Sequence, residues 1–277
     1  MTQSIARTAP RPQPALVSIV MPAFNAERYI ADAIRSALSQ TYTALELIIV
    51  DDKSSDRTVQ VAREFSSDPR LRVIEQPTNL GPAQARNRAL REARGRYIAL
   101  LDADDVWEET KIQRQIATLS SSAAPLTYSE YDLIDEHGRV IGNSGSLAER
   151  VSYSQLLRGC IIQNSTVVYD TARTGGTVDF PDLRRRQDFA MFLQILKHSG
   201  DAVLTDPDIA LCAYRITPGS VSSRKLTNIK FQHAVYREHE ALGRMRSSIL
   251  VMAWLVYAGR KSLSRRLQRG RNSFPRG

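Results

Sequence analysis

Residues 97–107, YIALLDADDVW, run five apolar or aromatic side chains straight into three acids, Asp102, Asp104 and Asp105. A short run bounded in this way reads as a central strand that stops where its carboxylates begin. The same pattern recurs upstream. A helix is expected from near Gly81 and Pro82 to Ala93, with Gly95 able to end it. LRVIE (71–75) reads as a weak strand, and Ser54 or Ser55 can cap a helix running to about Phe65. LELIIV (45–50) and VSIVM (17–21) are short and rich in branched residues, as buried strands are. Between them Ile30, Ala33, Ile34, Ala37 and Leu38 recur at helical spacing. Strands alternating with amphipathic helices predict an α/β domain with a mostly parallel sheet covered by helices.

Downstream of Trp107 the pattern is mixed. A helix is expected over 108–119, strands near 125–133 and 165–169, a helix over 188–197, and strands near 202–205 and 208–214. From Leu226 onward the chain reads as helical and separate in character. The expected organisation is a disordered leader over 1–15, one α/β domain over 16–222, and a helical, basic extension over 223–277.

The chain has 277 residues, of which 42% are hydrophobic, enough to bury a substantial core. Cys160 and Cys212 are far apart and lack metal-ligand spacing, so neither a disulfide framework nor a zinc site is suggested, and a reducing cytoplasm fits. The net charge of +9 is confined to the ends. From Arg260 on there are seven basic residues and no acid, the first fifteen residues add Arg7 and Arg11, and residues 16–259 are formally neutral. That distribution, with no recognition module, argues against nucleic acid as a partner. The N-terminus is polar and Pro-rich with no apolar run behind its charges, unlike a secretory signal. The most apolar segment, 249–258, is about half of the ~20 residues a membrane span needs.

In an open parallel sheet, ligands bind beyond the carboxyl ends of the strands. Three polar clusters fall there: Pro22, Phe24, Asn25 and Glu27 after the first strand, Asp51, Asp52, Ser54 and Ser55 after the second, and Asp102, Asp104 and Asp105 after YIALL. Carboxylates this close repel one another, and a divalent ion is the economical counter-charge. Mg²⁺ or Mn²⁺ takes one or two carboxylates together with substrate phosphate oxygens.

Over most of residues 17–222 the chain resembles the family 2 glycosyltransferases of the GT-A fold. The matching stretches, in the family's order, are VSIVMPAFNAERYIADAIRSALSQTY, LELIIVDDKSSDRT and NLGPAQARNRALREARGRYIALLDADDVW. The resemblance implies transfer of a sugar from a nucleotide donor, with a uridine diphosphate sugar the favoured one, to a carbohydrate or lipid-linked acceptor, with inversion at the anomeric carbon. It implies that Pro22, Phe24 and Glu27 line the nucleotide pocket and that Asp52 accepts a hydrogen bond from the base. Asp104 would hold the metal, and Asp102 would contact the ribose or a metal-bound water. Arg86 and Asn87 would lie near the nucleotide or donor sugar, with Asp105 a supporting residue or the start of the next helix. The stretch RRRQDFAMFLQIL supplies Asp188 as general base, with Gln187 where the family usually has an acid. CAYRITPGSVSS places Tyr214 and Arg215 near donor phosphates or acceptor, and Asn164, Ser165 and Thr166 fall near the acceptor.

The apolar run around Trp254 and Tyr257, followed by arginines, is suited to an interfacial helix on an anionic membrane at the cytoplasmic face. A helix packed on the domain, or one in a homo-oligomer contact, is suited equally. Two rivals give different expectations. A sugar nucleotidyltransferase needs a Gly-rich loop with a basic residue after the first strand, where this chain has PAFNAE. A non-catalytic nucleotide-sugar scaffold would lack the metal or base acids, and this sequence has both.

Overall fold

The computed structural model describes residues 14–159, 162–217 and 225–272. Most of the expected leader, Cys160, residues 218–223 of the serine-containing loop and the last five residues lie outside them.

The first half follows the expected alternation: β1 (Val17–Ala23), α1 (Ile30–Leu38), β2 (Leu45–Asp51), α2 (Thr58–Arg63), β3 (Leu71–Glu75), α3 (Pro82–Glu92) and β4 (Tyr97–Leu100). These strands form a parallel block in the order β3-β2-β1-β4. Every residue of β1, β2 and β4 is buried, because helices cover both faces, and this is why these strands read as unbroken apolar runs. The two-residue period of a strand divides their side chains between two cores. Ile19, Met21, Leu47 and Ile49 pack with Ile30, Ala33, Ile34 and Ala37 of α1. Val20, Ile48, Val50, Ile98 and Leu100 face Ala85, Ala89 and Leu90 of α3.

Helix α2 is shorter than expected and is not capped by Ser54 or Ser55. The Asp56 carboxylate accepts from the Thr58 N–H at 3.0 Å and the Glu27 N–H at 3.1 Å. Burial opposes the Asp56 anion, but these bonds and one from the Thr58 hydroxyl outweigh it and hold its pKa below the usual range. Gly95 does not end α3, which stops at Glu92. Instead it lets two strand edges meet, since a Cβ there would lie 2.6 Å from the Ser18 nitrogen and 2.8 Å from the Leu16 oxygen.

The second half extends the sheet with mixed pairing. It comprises β5 (Val106–Trp107), α4 (Lys111–Ser121), β6 (Leu126–Ile134), β7 (Val140–Asn143), β8 (Arg150–Val151), α5 (Tyr153–Arg158), a 3-10 turn (Asn164–Thr166), β9 (Val168–Asp170), α6 (Thr171–Thr174), α7 (Gln187–Ser199) and β10 (Ala202–Arg215). The sheet continues past β4 as β9-β6-β10-β5, with β9 antiparallel to both neighbours and β6 parallel to β10. The two strands expected at 202–205 and 208–214 are one strand. Its register against β6 shifts after Thr205, where Asp206 and Asp208 have positive φ around Pro207.

Helix α8 (Lys225–Ala234), a π-helical turn (Val235–His239) and α9 (Arg244–Asn272) complete the chain. These helices pack into the core. Tyr236 and Val251 belong to the same buried cluster as β4 and α7, and the Tyr236 hydroxyl donates to the Leu157 carbonyl. Among the described residues no helix is long and apolar enough to cross a membrane.

Candidate active site

The carboxyl ends of β1, β2 and β4 converge on a cavity of about 520 Å³, within the size range of small-ligand sites. Pro22 comes from the end of β1, Phe24, Asn25 and Tyr29 from the segment after it, and Asp52 from the segment after β2. Asn79, Gly81, Pro82 and Arg86 come from the approach to α3 and its first turns, Asp102 and Asp104 from the loop after β4, and Thr217 from beyond β10. Phe24 is 52% exposed, an aromatic face left open at the mouth.

The acid loop is fixed from below by the 3-10 turn. The Asp102 N–H donates to Ser165 Oγ at 3.1 Å, and the Ser165 hydroxyl donates to Asp105. Asp105 is fully buried, and its other oxygen accepts the Arg215 N–H at 2.9 Å. Burial and the neighbouring Asp104 and Asp102 push its pKa well above the usual carboxylate range. Asp105 therefore ties the loop to β10; it neither begins a helix nor lines the cavity. The 3-10 turn is anchored in turn by Trp107, whose indole N–H donates to the Ser165 carbonyl at 2.7 Å, and by Gln115, whose amide donates to the Thr166 carbonyl at 2.8 Å. The ammonium of Lys111, entirely buried, sits 4.1 Å from the Trp107 ring centroid and bonds Gln115; burial lowers its pKa to about 7.

Asp102 receives Arg86 Nη2 at 2.6 Å and Asn164 Nδ2 at 2.8 Å, both on Oδ1. Arg86 Nε and Asn164 Oδ1 are buried without a hydrogen-bond partner among the described residues. Two such groups beside one carboxylate are costly unless a ligand or water completes them. Asp104 differs. Burial, then repulsion from Asp102, raise its pKa to about 6, only partly offset by Arg215 and Arg86. Among the described residues no three acidic, His or Cys side chains could enclose a metal by themselves. A Mg²⁺ or Mn²⁺ site completed by phosphate and water needs only one or two carboxylates, and Asp104 with Asp102 fits that demand.

Asp52 sits in the same cavity with its carboxylate held by three protein donors. It accepts Gln76 Nε2 at 2.7 Å, the Leu80 N–H at 2.8 Å and the Gly81 N–H at 2.7 Å, and so fixes the entry to α3. Gly81 has φ +88, a conformation that suits glycine.

Several sequence-predicted residues lie elsewhere. Glu27 is outside the cavity lining; its carboxylate accepts the Arg57 N–H at 2.8 Å and joins the segment after β1 to α2. The Asn87 amide donates to the Phe180 carbonyl at 2.9 Å and accepts the Phe180 N–H at 2.7 Å. Arg215 donates to the Asp104 carbonyl at 2.8 Å and the Asp135 carbonyl at 3.1 Å, over the Tyr29 ring. Tyr214 meets Tyr131 edge-on at 6.1 Å. Asp188 is half-buried in the first turn of α7, accepts the Phe189 N–H at 2.8 Å, and is not among the cavity-lining residues. The segment leading to it passes the site at Phe180, whose ring lies 5.2 Å from the Arg86 guanidinium. The lining residues Tyr29, Asn79, Gly81 and Thr217 were not singled out from the sequence. The NLGP turn, with its Asn and Gly ahead of a helix-starting Pro, carries a signal for Asn79 and Gly81, and no such pattern marks Tyr29 or Thr217.

Known proteins share this sequence pattern and this fold. The chain is 34% identical to a putative teichuronic acid biosynthesis glycosyltransferase, TuaG, of Bacillus subtilis, over 90% of this chain and 98% of that one. It is 36% identical to the UDP-Glc:alpha-D-GlcNAc-diphosphoundecaprenol beta-1,3-glucosyltransferase WfgD of Escherichia coli, over 78% and 83%. Among solved structures, S. aureus TarS in complex with UDP-GlcNAc superposes with a TM-score of 0.67 at 20% identity, covering 87% of this chain and 72% of that one. The mannosyltransferase PcManGT of Pyrobaculum calidifontis, in complex with GDP-Man and Mn²⁺, does so at 0.63 and 18% identity, covering 97% and 76%. The fold is thus that of the GT-A glycosyltransferases. The model of glycosyl transferase family 2 matches residues 18–160, and the chain belongs to that family.

Proposed function

We propose that the chain transfers a sugar from a nucleoside diphosphate sugar, a uridine diphosphate sugar first among them, to a hydroxyl of a lipid-linked carbohydrate at the cytoplasmic face of a membrane. The observation that carries this reading is Asp104, a half-buried carboxylate lining the cavity beside Asp102, whose anion is disfavoured until a cation joins it. The UDP-Glc in the name of WfgD, and the UDP-GlcNAc in the TarS complex, support the choice of nucleotide.

Asp104, with Asp102 beside it, would hold Mn²⁺ or Mg²⁺, which when bound neutralises the diphosphate as it leaves. Phe24 offers its open ring to the base. Asp52, oriented by three donors, keeps room for about one more hydrogen bond, from the base imide. Arg86 holds Asp102 on the donor side. Arg215 keeps the acid loop in place through two carbonyls, with Tyr214 beside it on β10. Asp188 takes the proton of the acceptor hydroxyl as its oxygen attacks the anomeric carbon; the bond to the diphosphate oxygen breaks, and the configuration inverts in that one displacement. Nucleotide release from a panel of nucleotide sugars, with a lipid-linked sugar acceptor and with or without Mn²⁺, tests the assignment. Metal-stimulated release of one nucleotide supports it, and donor binding without turnover on any acceptor in the panel contradicts it.

A further inference from the structure

Helix α9 has two apolar faces, and only one of them is covered. Val251, Trp254 and Ser247 are buried against the domain. On the other side Met245, Ile249, Met252 and Val256 are 79%, 60%, 62% and 54% exposed. At about 100° per residue these four fall within roughly 60° of arc, a continuous stripe. The sequence continues the spacing through Leu263 and Leu267, and the helix runs to Asn272. Beyond Glu240 the chain carries nine arginines and lysines and no acid, with the exposed Arg244 and Arg246 beside the stripe at its start.

We propose that this stripe docks the protein flat on an anionic lipid bilayer, its apolar side chains entering the boundary between headgroups and acyl chains while the surrounding cations meet lipid phosphates. Charge decides against a second copy as the occupant. Pairing α9 with itself would bring two acid-free helices of eight cations each together, whereas an anionic surface complements them. A self-paired seam would also need apolar residues at the next heptad positions, where the sequence has Gly259 and Arg266. The docking rests on this surface alone. A chain that binds vesicles but turns over no nucleotide sugar would remove the proposed reaction and leave the docking standing.

The test is co-sedimentation of the full chain with phosphatidylglycerol-rich and with pure phosphatidylcholine vesicles, for wild type and for Met245→Ser/Ile249→Ser/Met252→Ser/Val256→Ser. The wild type should partition at least about tenfold more strongly onto the anionic vesicles. The variant should lose about tenfold or more of that binding while keeping the wild-type melting temperature and donor turnover in the absence of vesicles. If the quadruple variant melts early, Met245→Ser/Met252→Ser, at two of the most exposed positions, takes its place. Equal binding to both lipids, no binding to either, or undiminished binding by the stripe variant would overturn the proposal. So would a wild-type dimer in light scattering that the variant abolishes.

Discussion

Asp52 and Asp104 follow β2 and β4, the two strands that flank β1, and both line one cavity, yet their carboxylates are in opposite conditions. Asp52 is held by three protein donors, two of them backbone N–H groups, so its charge is satisfied by the fold itself. Asp104 gains its largest influences from burial and from the charge of Asp102, both of which oppose ionisation. The first carboxylate builds the cavity, and the second is left for what enters it. Removing each should therefore cost the protein different things.

The largest effect is expected on the reactive side. Asp104→Asn, and separately Asp188→Asn, should each lower transfer by about a thousandfold or more. They should differ in the donor. The Asp188 variant should retain wild-type affinity for the nucleotide sugar, and the Asp104 variant should lose the metal-dependent part of it. Comparable donor binding by both would break the division of roles.

Asp52→Ala sharpens the comparison from the other side. It strands a buried side-chain amide and two backbone donors, so chemical denaturation should show a loss of about 2–4 kcal/mol. Asp104→Asn should be neutral or stabilising by the same measurement, because it removes a half-buried charge that Arg215 and Arg86 offset only in part. If the two variants lose stability equally, Asp104 is as structural as Asp52.

Acid titration supplies a third way to separate them. The folded pKa of Asp104 lies near 6, above its ordinary 3.8. The metal-free protein is therefore favoured below about pH 4 by this group, and loses that contribution as the pH rises through 6, on the order of 3 kcal/mol if the shift is fully expressed. Measured across that window, the stability of the wild type relative to Asp104→Asn should fall as the pH rises. Adding Mn²⁺ with UDP should flatten the wild-type slope.

What could be read from the sequence divides along the same line. Strands β1, β2 and β4 are legible because helices cover both their faces, leaving unbroken apolar runs that end in acids. The Asp102–Asp105 cluster is legible because close carboxylates at a strand end need an explanation. The spending of Asp52 is not, since two of its partners are backbone groups of Leu80 and Gly81 and no side-chain pattern records them. Glu27 and Asn87 look like ligand residues in sequence for the same reason: each is bound to the backbone of a distant segment, at Arg57 and at Phe180. In the second half, β7 and β8 have four and two residues and α5 has six, too short for a period to establish itself.

The smallest effect tests how the C-terminal region bears on the reactive side. Arg186, next but one before Asp188, has a positive φ, and its guanidinium lies 5.0 Å from the Trp254 ring of α9. Arg185 is similarly placed over Phe231 of α8. These contacts hold the backbone from which α7 starts. Trp254→Ala should reduce kcat about tenfold and leave donor KM within about twofold, because a displaced base costs the chemical step and not nucleotide binding. A change confined to KM would remove this coupling.

Calorimetric titration of Mn²⁺ into the protein with UDP present, for wild type and Asp104→Asn near neutral pH, addresses the central contrast most directly. The wild type should bind the ion with nucleotide-dependent affinity, releasing the fraction of protons still held by Asp104, and the variant should show no nucleotide-dependent binding. Wild-type binding by Asp104→Asn would contradict the account, because the cation would then be held elsewhere.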